Sequence, residues 1–231
     1  MKVTAILLAA GKGRRMGGDV PKQYMDLCGR PLLSYALETL ERSEVISDIV
    51  AVVPAGDEAY VQEKIAAPLR ASKVRCYAAG GAERCESVGN GLEAVTWPCD
   101  YVFIHDGARP FVSVEILQRL YAAVRETGAA VAAVKSKDTV KLADAHGFVA
   151  ATPDRENVWI VQTPQCFDFR LAAGAYAAAR GKEPVPTDDA MVVETYTHHA
   201  VKLVEGSYSN IKITSPDDIA VAEAILQRNR K

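Results

Sequence analysis

The sequence predicts an α/β fold: a mostly parallel sheet with helices on both faces and a β-hairpin that projects from it as an arm. Three observations carry this prediction. Short apolar runs recur along the chain, stretches of helical periodicity separate them, and one later segment breaks the rhythm. The runs are Val3 to Ala9, Ile49 to Val53, Val74 to Ala78, Tyr101 to Ile104 and Ala129 to Val134. Runs this short and this uniformly apolar suit strands buried on both faces, as parallel strands are. Leu32, Leu33, Ala36, Leu37 and Leu40 form one helical stripe, and Val114, Leu117, Leu120, Tyr121 and Val124 form another. The alternation is that of a Rossmann-like sheet, whose ligands bind beyond the carboxyl ends of the strands.

The departure lies between Val140 and Ala151. Two alternating runs, with Leu142 and Phe148 among their apolar members, flank Asp144, Ala145, His146 and Gly147, which have the composition of a turn. A lone two-stranded hairpin is marginal in water, so residues 136–158 read as an arm that packs on a second subunit, and a homodimer is expected. Beyond the arm the pattern predicts a helix from Asp168 to Arg180 and another starting near Thr187, a natural cap. A strand from Ala200 to Val204 follows, then a strand through Ile211 and Ile213, and a closing helix that Ser215 or Asp217 could cap.

With 231 residues and 49% hydrophobic content, the chain can bury one sizeable core, and residues 1–231 read as a single domain. A net charge of -2 and a pI near 6.1 exclude a nucleic-acid binder that works through a broad basic surface. The five scattered cysteines include no Cys-x-x-Cys pair, so neither a disulfide framework nor a zinc site is predicted, and a reducing cytoplasm is the expected home. The early apolar run is too short to span a membrane, and no membrane association is expected.

The first strand runs into Gly11-Lys12-Gly13-Arg14-Arg15-Met16-Gly17-Gly18, followed by Pro21-Lys22-Gln23-Tyr24. Glycines let a backbone approach phosphate oxygens closely, and the amides of such a turn form an anion nest. Two familiar nucleotide motifs overlap this string and fail. The dinucleotide fingerprint would need Gly or Ala at Met16 and an acid closing the second strand, where Val53 and Pro54 stand. The Walker pattern would need Lys and a hydroxyl residue after its second glycine, where Asp19 and Val20 follow Gly18. Lys12, Arg14, Arg15 and Lys22 instead match more negative charge than one diphosphate carries, as a triphosphate with its metal would supply.

Two further segments end strands at the ligand side. In Gly80-Gly81-Ala82-Glu83-Arg84-Cys85-Glu86-Ser87, an amide and a hydroxyl could read the edge of a flat base, or the segment could be only a loop and helix start. In His105-Asp106-Gly107-Ala108-Arg109-Pro110, Asp106 is a candidate ribose or magnesium neighbour, or else a turn-forming aspartate, while His105 could simply pack.

Together with Thr152-Pro153-Asp154-Arg155, Gln162-Thr163-Pro164-Gln165, Thr187-Asp188-Asp189 and the segment around Lys212, these motifs resemble the 2-C-methyl-D-erythritol 4-phosphate cytidylyltransferases over essentially the whole chain. The resemblance implies a nucleotidyltransferase that joins CTP to the polyol phosphate with Mg2+ or another divalent cation. It implies transition-state roles for Arg15 and Lys22, and nucleotide contacts from Ala9, Ala10, Gly11, Gly13, Gly81, Ala82, Ser87 and Asp106. For the acceptor it implies Asp106, Arg109, Thr139, Arg155, Thr187 and Lys212, some reaching across from the partner, with Arg155 and Lys212 positioning the phosphate for attack. At Ala82 the family often carries a polar residue. His146, His198 and His199 match no role. A phosphate with its second pKa near about 6 is largely dianionic at neutral pH and needs no general base. Competing readings are a ribitol 5-phosphate cytidylyltransferase, a nicotinamide-dependent oxidoreductase and a non-catalytic nucleotide sensor.

Overall fold

The computed structural model describes residues 1–11 and 21–229. Strand β1 (Val3–Leu8) is followed by a small hairpin, β2 (Asp26–Leu27) and β3 (Arg30–Pro31), and by helix α1 (Leu32–Arg42), which buries the predicted leucine and alanine stripe. The alternation continues through β4 (Asp48–Val53), a short α2 (Glu58–Val61), β5 (Val74–Ala79), α3 (Arg84–Glu93), β6 (Tyr101–Asp106), α4 (Val114–Thr127) and β7 (Ala129–Lys135). Helix α4 starts where the Ser113 hydroxyl accepts from Ile116 N and stops at Gly128, whose φ of +75° only glycine adopts without strain.

The projecting hairpin is present. Strands β8 (Leu142–Ala143) and β9 (Val149–Ala151) pair antiparallel, and the Asp144 carboxylate closes the turn by accepting from His146 N and Phe148 N. The chain then forms β10 (Trp159–Asp168), α5 (Phe169–Ala179), α6 (Asp189–Thr197), β11 (Lys202–Glu205) and α7 (Asp217–Asn229). Asp168 caps α5 by accepting from Arg170 N and Leu171 N.

Among the described residues seven strands form the main sheet in the order β11-β7-β10-β6-β1-β4-β5. β1 lies parallel to both β4 and β6, with Ile6 opposite Val50 and Ile104. Side chains of β1 alternate between two cores. Val3, Ala5 and Leu7 pack with α1 and α4, whereas Ile6 packs with residues of α3, α5 and α6. Helices therefore cover both faces, as the apolar runs required. Among the described residues no helix is long and apolar enough to cross a membrane.

Periodicity predicts no strand at β10, and three expectations need correction. β10 runs antiparallel between β6 and β7, in a segment that carries no apolar run. Its middle holds Gln162, Thr163, Pro164 and Gln165, where the register with β7 shifts between Val161 and Gln165, and a proline ordinarily argues against an inner strand. The buried polar side chains are tolerated because each is hydrogen-bonded. Residues 209–214 are irregular rather than a strand, although Ile213 is buried as the alternation required. Finally, α6 is capped by the Asp188 carboxylate, which accepts from Met191 N, and not by Thr187, whose hydroxyl faces Met191 Sδ at 3.6 Å. Likewise neither Ser215 nor Asp217 caps α7; the Asp218 carboxylate folds back to accept from Thr214 N and Ser215 N.

Candidate functional site

The carboxyl ends of β1, β5 and β6 come together because the sheet ladder continues one residue beyond each strand. Ala9 N donates to Val52 O, Gly80 N to Val53 O and Gly107 N to Leu8 O. The backbones then approach so closely that a Cβ at Gly80 would stand 2.1 Å from Ala10 Cβ. A cleft of about 410 Å³ opens above these ends. Ala9, Ala10 and Gly11 line it just past the end of β1, Gly81 and Ala82 from the turn after β5, Arg84 and Ser87 from the first turns of α3, and Asp106 from the end of β6. Lys22 enters from a short 3-10 turn, Lys22–Tyr24, whose Tyr24 hydroxyl donates to Asp57 at 2.9 Å. Lys212 and Thr214 complete the wall.

Lys212 reaches the cleft because its segment is stitched to the loop after β6. Ile213 N donates to Ala108 O at 2.9 Å, Arg109 Nη1 donates to Asn210 O at 2.7 Å, and Asn210 Nδ2 donates to Thr163 O at 2.9 Å. Lys212 Nζ consequently lies 2.7 Å from Asp106 Oδ2. The other Asp106 oxygen meets Arg84 Nε at 3.2 Å, and Arg84 grips Asp189 with both terminal nitrogens, at 2.7 and 2.8 Å. Asp189 is fully buried and also accepts the Tyr176 hydroxyl of α5. Burial alone would raise the Asp106 carboxyl, but Arg84 and then Lys212 hold it well below the usual carboxylate range. Burial, reinforced by Asp189, pushes the Tyr176 hydroxyl well up, so Tyr176 remains a neutral donor.

His105 supports this arrangement from beneath. Its ring is fully buried, with Nε2 3.1 Å from Arg109 O and Nδ1 3.0 Å from Thr163 Oγ1. A carbonyl only accepts, so Nε2 carries the proton and Nδ1 accepts from the Thr163 hydroxyl, which in turn accepts from Asp106 N at 3.0 Å. Burial lowers the imidazole to about 4, which keeps the ring neutral at physiological pH.

Ala9, Ala10, Gly11, Lys22, Gly81, Ala82, Ser87, Asp106 and Lys212 of the sequence-derived set share the cleft. Gly13 and Arg15 lie outside the described residues. Arg109 is committed to the Asn210 carbonyl and does not line the cleft; Thr139, Arg155 and Thr187 are exposed and do not line it either. Ser87 Oγ accepts from Gly81 N at 3.0 Å and donates to Glu83 O, so a base edge would have to compete for this pair. Arg84, Thr163 and Asp189 were not singled out by sequence. A buried strand threonine and a helix-terminal arginine carry no distinguishing pattern, although Asp189 follows Asp188 in a quoted motif.

Among the described residues no group of three or more His, Cys, Asp or Glu could hold a metal ion. Asp106 supplies a carboxylate at the cleft, a donor set that suits Mg2+ carried largely by substrate phosphates rather than caged by protein. A larger groove of about 800 Å³ lies between α3 and α5, but Glu83, Glu86, Glu93 and Glu183 on its walls outnumber Arg180 and Lys182, and Arg180 is paired with Glu93. That balance is wrong for a polyphosphate, and the smaller cleft is the better candidate despite its size.

The sequence profile of the IspD family, 2-C-methyl-D-erythritol 4-phosphate cytidylyltransferase, matches residues 3–228. A 2-C-methyl-D-erythritol 4-phosphate cytidylyltransferase of Alkaliphilus oremlandii (strain OhILAs) is 43% identical over 230 residues, which cover 100% of this chain and 97% of that one. The crystal structure of 4-diphosphocytidyl-2C-methyl-D-erythritol synthase from Anaerococcus prevotii DSM 20548 matches with a TM-score of 0.86 at 36% identity, covering 98% of each chain. That of the cytidylyltransferase from Thermus thermophilus matches at 0.78 and 32% identity, covering 98% of this chain and 100% of the other. A fold, a strand-end cleft and a full-length sequence match thus agree, and the chain belongs to the 2-C-methyl-D-erythritol 4-phosphate cytidylyltransferase family, nucleotidyltransferases of the non-mevalonate route to isoprenoids.

Proposed function

We propose that the cleft above β1, β5 and β6 is where this cytidylyltransferase joins CTP to 2-C-methyl-D-erythritol 4-phosphate. The observation that carries the reading is the convergence of Gly11, Lys22, Gly81, Ser87, Asp106 and Lys212, from distant parts of the chain, on one cavity. The triphosphate lies against Gly11 and Lys22, and Gly13 and Arg15 are the further triphosphate contacts that membership of the family implies. The base faces Gly81, Ala82 and Ser87, and the ribose faces Asp106. An oxygen of the acceptor phosphate bonds to the α-phosphorus while the bond to the bridging oxygen breaks, and pyrophosphate leaves with the electron pair. No proton need be removed from a dianionic phosphate. The protein's task is therefore to offset repulsion between polyanions and to align the attacking oxygen. Lys22 and Arg15 steady the transferring phosphoryl group, and Lys212 draws in the acceptor phosphate. Asp106 would lie near a Mg2+ carried by the substrate phosphates, which would supply further charge neutralisation.

Arg109, Thr139, Arg155 and Thr187 belong to the acceptor side in this reading. Residues 136–158 act as a dimerisation arm that brings some of them to the partner's cleft, and residues 1–231 form one nucleotidyltransferase domain. Exposed Leu142, Phe148 and Val149 on the arm support a protein partner there, since these apolar side chains are otherwise left in water. The test is pyrophosphate release from CTP with methylerythritol phosphate against ribitol 5-phosphate, repeated with UTP and ATP and after removal of divalent cations. Release only with CTP, methylerythritol phosphate and metal is the expected result. Preference for ribitol phosphate, or no release with any pair, would overturn it.

A further inference from the structure

Among the described residues Arg84 is the cleft cation to which the reaction described above gives no task. It opens α3, and its guanidinium bridges carboxylates of two other elements: Asp106 of β6 through Nε, and Asp189 at the start of α6 through both terminal nitrogens. Asp106 is thereby held from two sides by cations of different character. Lys212 makes one ion pair to it and its side chain is 38% exposed; Arg84 makes contacts to two carboxylates and is 30% exposed, while the Asp189 carboxylate behind it is 0% exposed. A planar fork pinned by a buried partner is a fixed anchor, whereas a lysine on a flexible stem is a movable point charge. The four formal charges sum to zero while Lys212 remains on Asp106.

We infer that Arg84 is a positioning residue: it retains the Asp106 carboxylate so that Lys212 can leave it for the acceptor phosphate. Without Arg84, Lys212 would be, among the described residues, the remaining ion-pair partner of a carboxylate only 10% exposed, and drawing it away would leave a buried charge poorly compensated. With Arg84 in place, Asp106 keeps its orientation and one strong partner throughout. Tyr176 and Asp189 serve the same end one step further back, by keeping the guanidinium from following Asp106 into the cleft.

This inference rests on the acceptor phosphate binding at Lys212, and the experiment separates the two. Pyrophosphate release is measured for wild type, Arg84→Gln, Asp106→Asn and the double variant, with CTP affinity by calorimetry and thermal unfolding for each. For Arg84→Gln, kcat/KM for the acceptor should fall by about thirtyfold or more, several times further than CTP affinity falls, Asp106 facing the ribose as well. Adding Asp106→Asn to Arg84→Gln should cost less than about threefold further, because both changes disable one unit, whereas independent losses multiply. An acceptor kcat/KM within about threefold of wild type, an equal loss of CTP affinity, or multiplying losses would each overturn the role. Should Arg84→Gln fail to fold, Arg84→Lys keeps the charge but cannot span both carboxylates, and is judged by the same three readings. A wild type silent with CTP and methylerythritol phosphate overturns the functional reading and this inference with it; an active wild type with an unaffected Arg84→Gln overturns this inference alone.

Discussion

Replacing His105 by glutamine should flatten the acid side of the stability profile. The imidazole is fully buried and titrates near about 4, against about 6.5 in an unfolded chain. As pH falls between those values the unfolded chain takes up a proton that the folded protein refuses, so stability declines. The contribution is fully present above about 6.5 and is lost as pH falls toward about 4. Integrated from about pH 7.5 to about pH 4.5, this single group accounts for about 2.5 kcal/mol of lost unfolding free energy. The depressed Asp106 carboxyl acts in the same direction, but only below the ordinary carboxylate range, and so leaves this window clear. Urea unfolding of wild type and His105→Gln at several pH values gives the comparison. The variant, which loses one of two hydrogen bonds, starts less stable, and the two curves should converge by roughly the stated amount as pH falls. Curves that stay parallel would refute the account of a neutral His105 wedged between Thr163 and Arg109 O.

Three further outcomes are expected. Lys22→Ala should lower turnover by about a hundredfold in a pyrophosphate-release assay if the ammonium acts mainly in the transition state, and unchanged turnover would remove it from that role. Gly80→Ala should weaken CTP binding measured by calorimetry, because its Cβ would meet Ala10 Cβ at 2.1 Å and neither backbone can yield without deforming the cleft floor; overpacking of this kind costs about 1–3 kcal/mol. A variant with Leu142→Asp and Phe148→Asp should sediment as a monomer and lose activity, Phe148 being 72% exposed in the single chain, while a monomeric wild type would refute the arm's assignment.

The parallel part of the sheet was legible in sequence because strands buried on both faces must be apolar along their length, and β1, β4, β6 and β7 are. The hairpin was legible because Asp144 and Gly147 are turn residues between alternating runs. β10 was not, since its buried face is satisfied by hydrogen bonds from Gln162, Thr163 and Gln165 rather than by apolar surface, and period reading does not register those. At the site, glycine and strand-end acid patterns marked Gly81 and Asp106, whose backbone positions follow from chain geometry. Arg84 and Asp189 are 105 residues apart, and nothing local announces that α3 and α6 begin beside one another.

The reversed direction of β10 decides where the arm of the proposed dimer is rooted. β7 rises toward the cleft end of the sheet, and β10 descends from it, so the segment between them departs and returns at that one end. Had β10 been parallel like the rest, the chain would have needed a crossover to the far end before entering it, and the hairpin could not have had both roots beside the cleft. Antiparallel entry thus turns a connection into a bracket fixed at the cleft end, and a subunit held by the hairpin in the proposed dimer would sit beside the cleft rather than behind it.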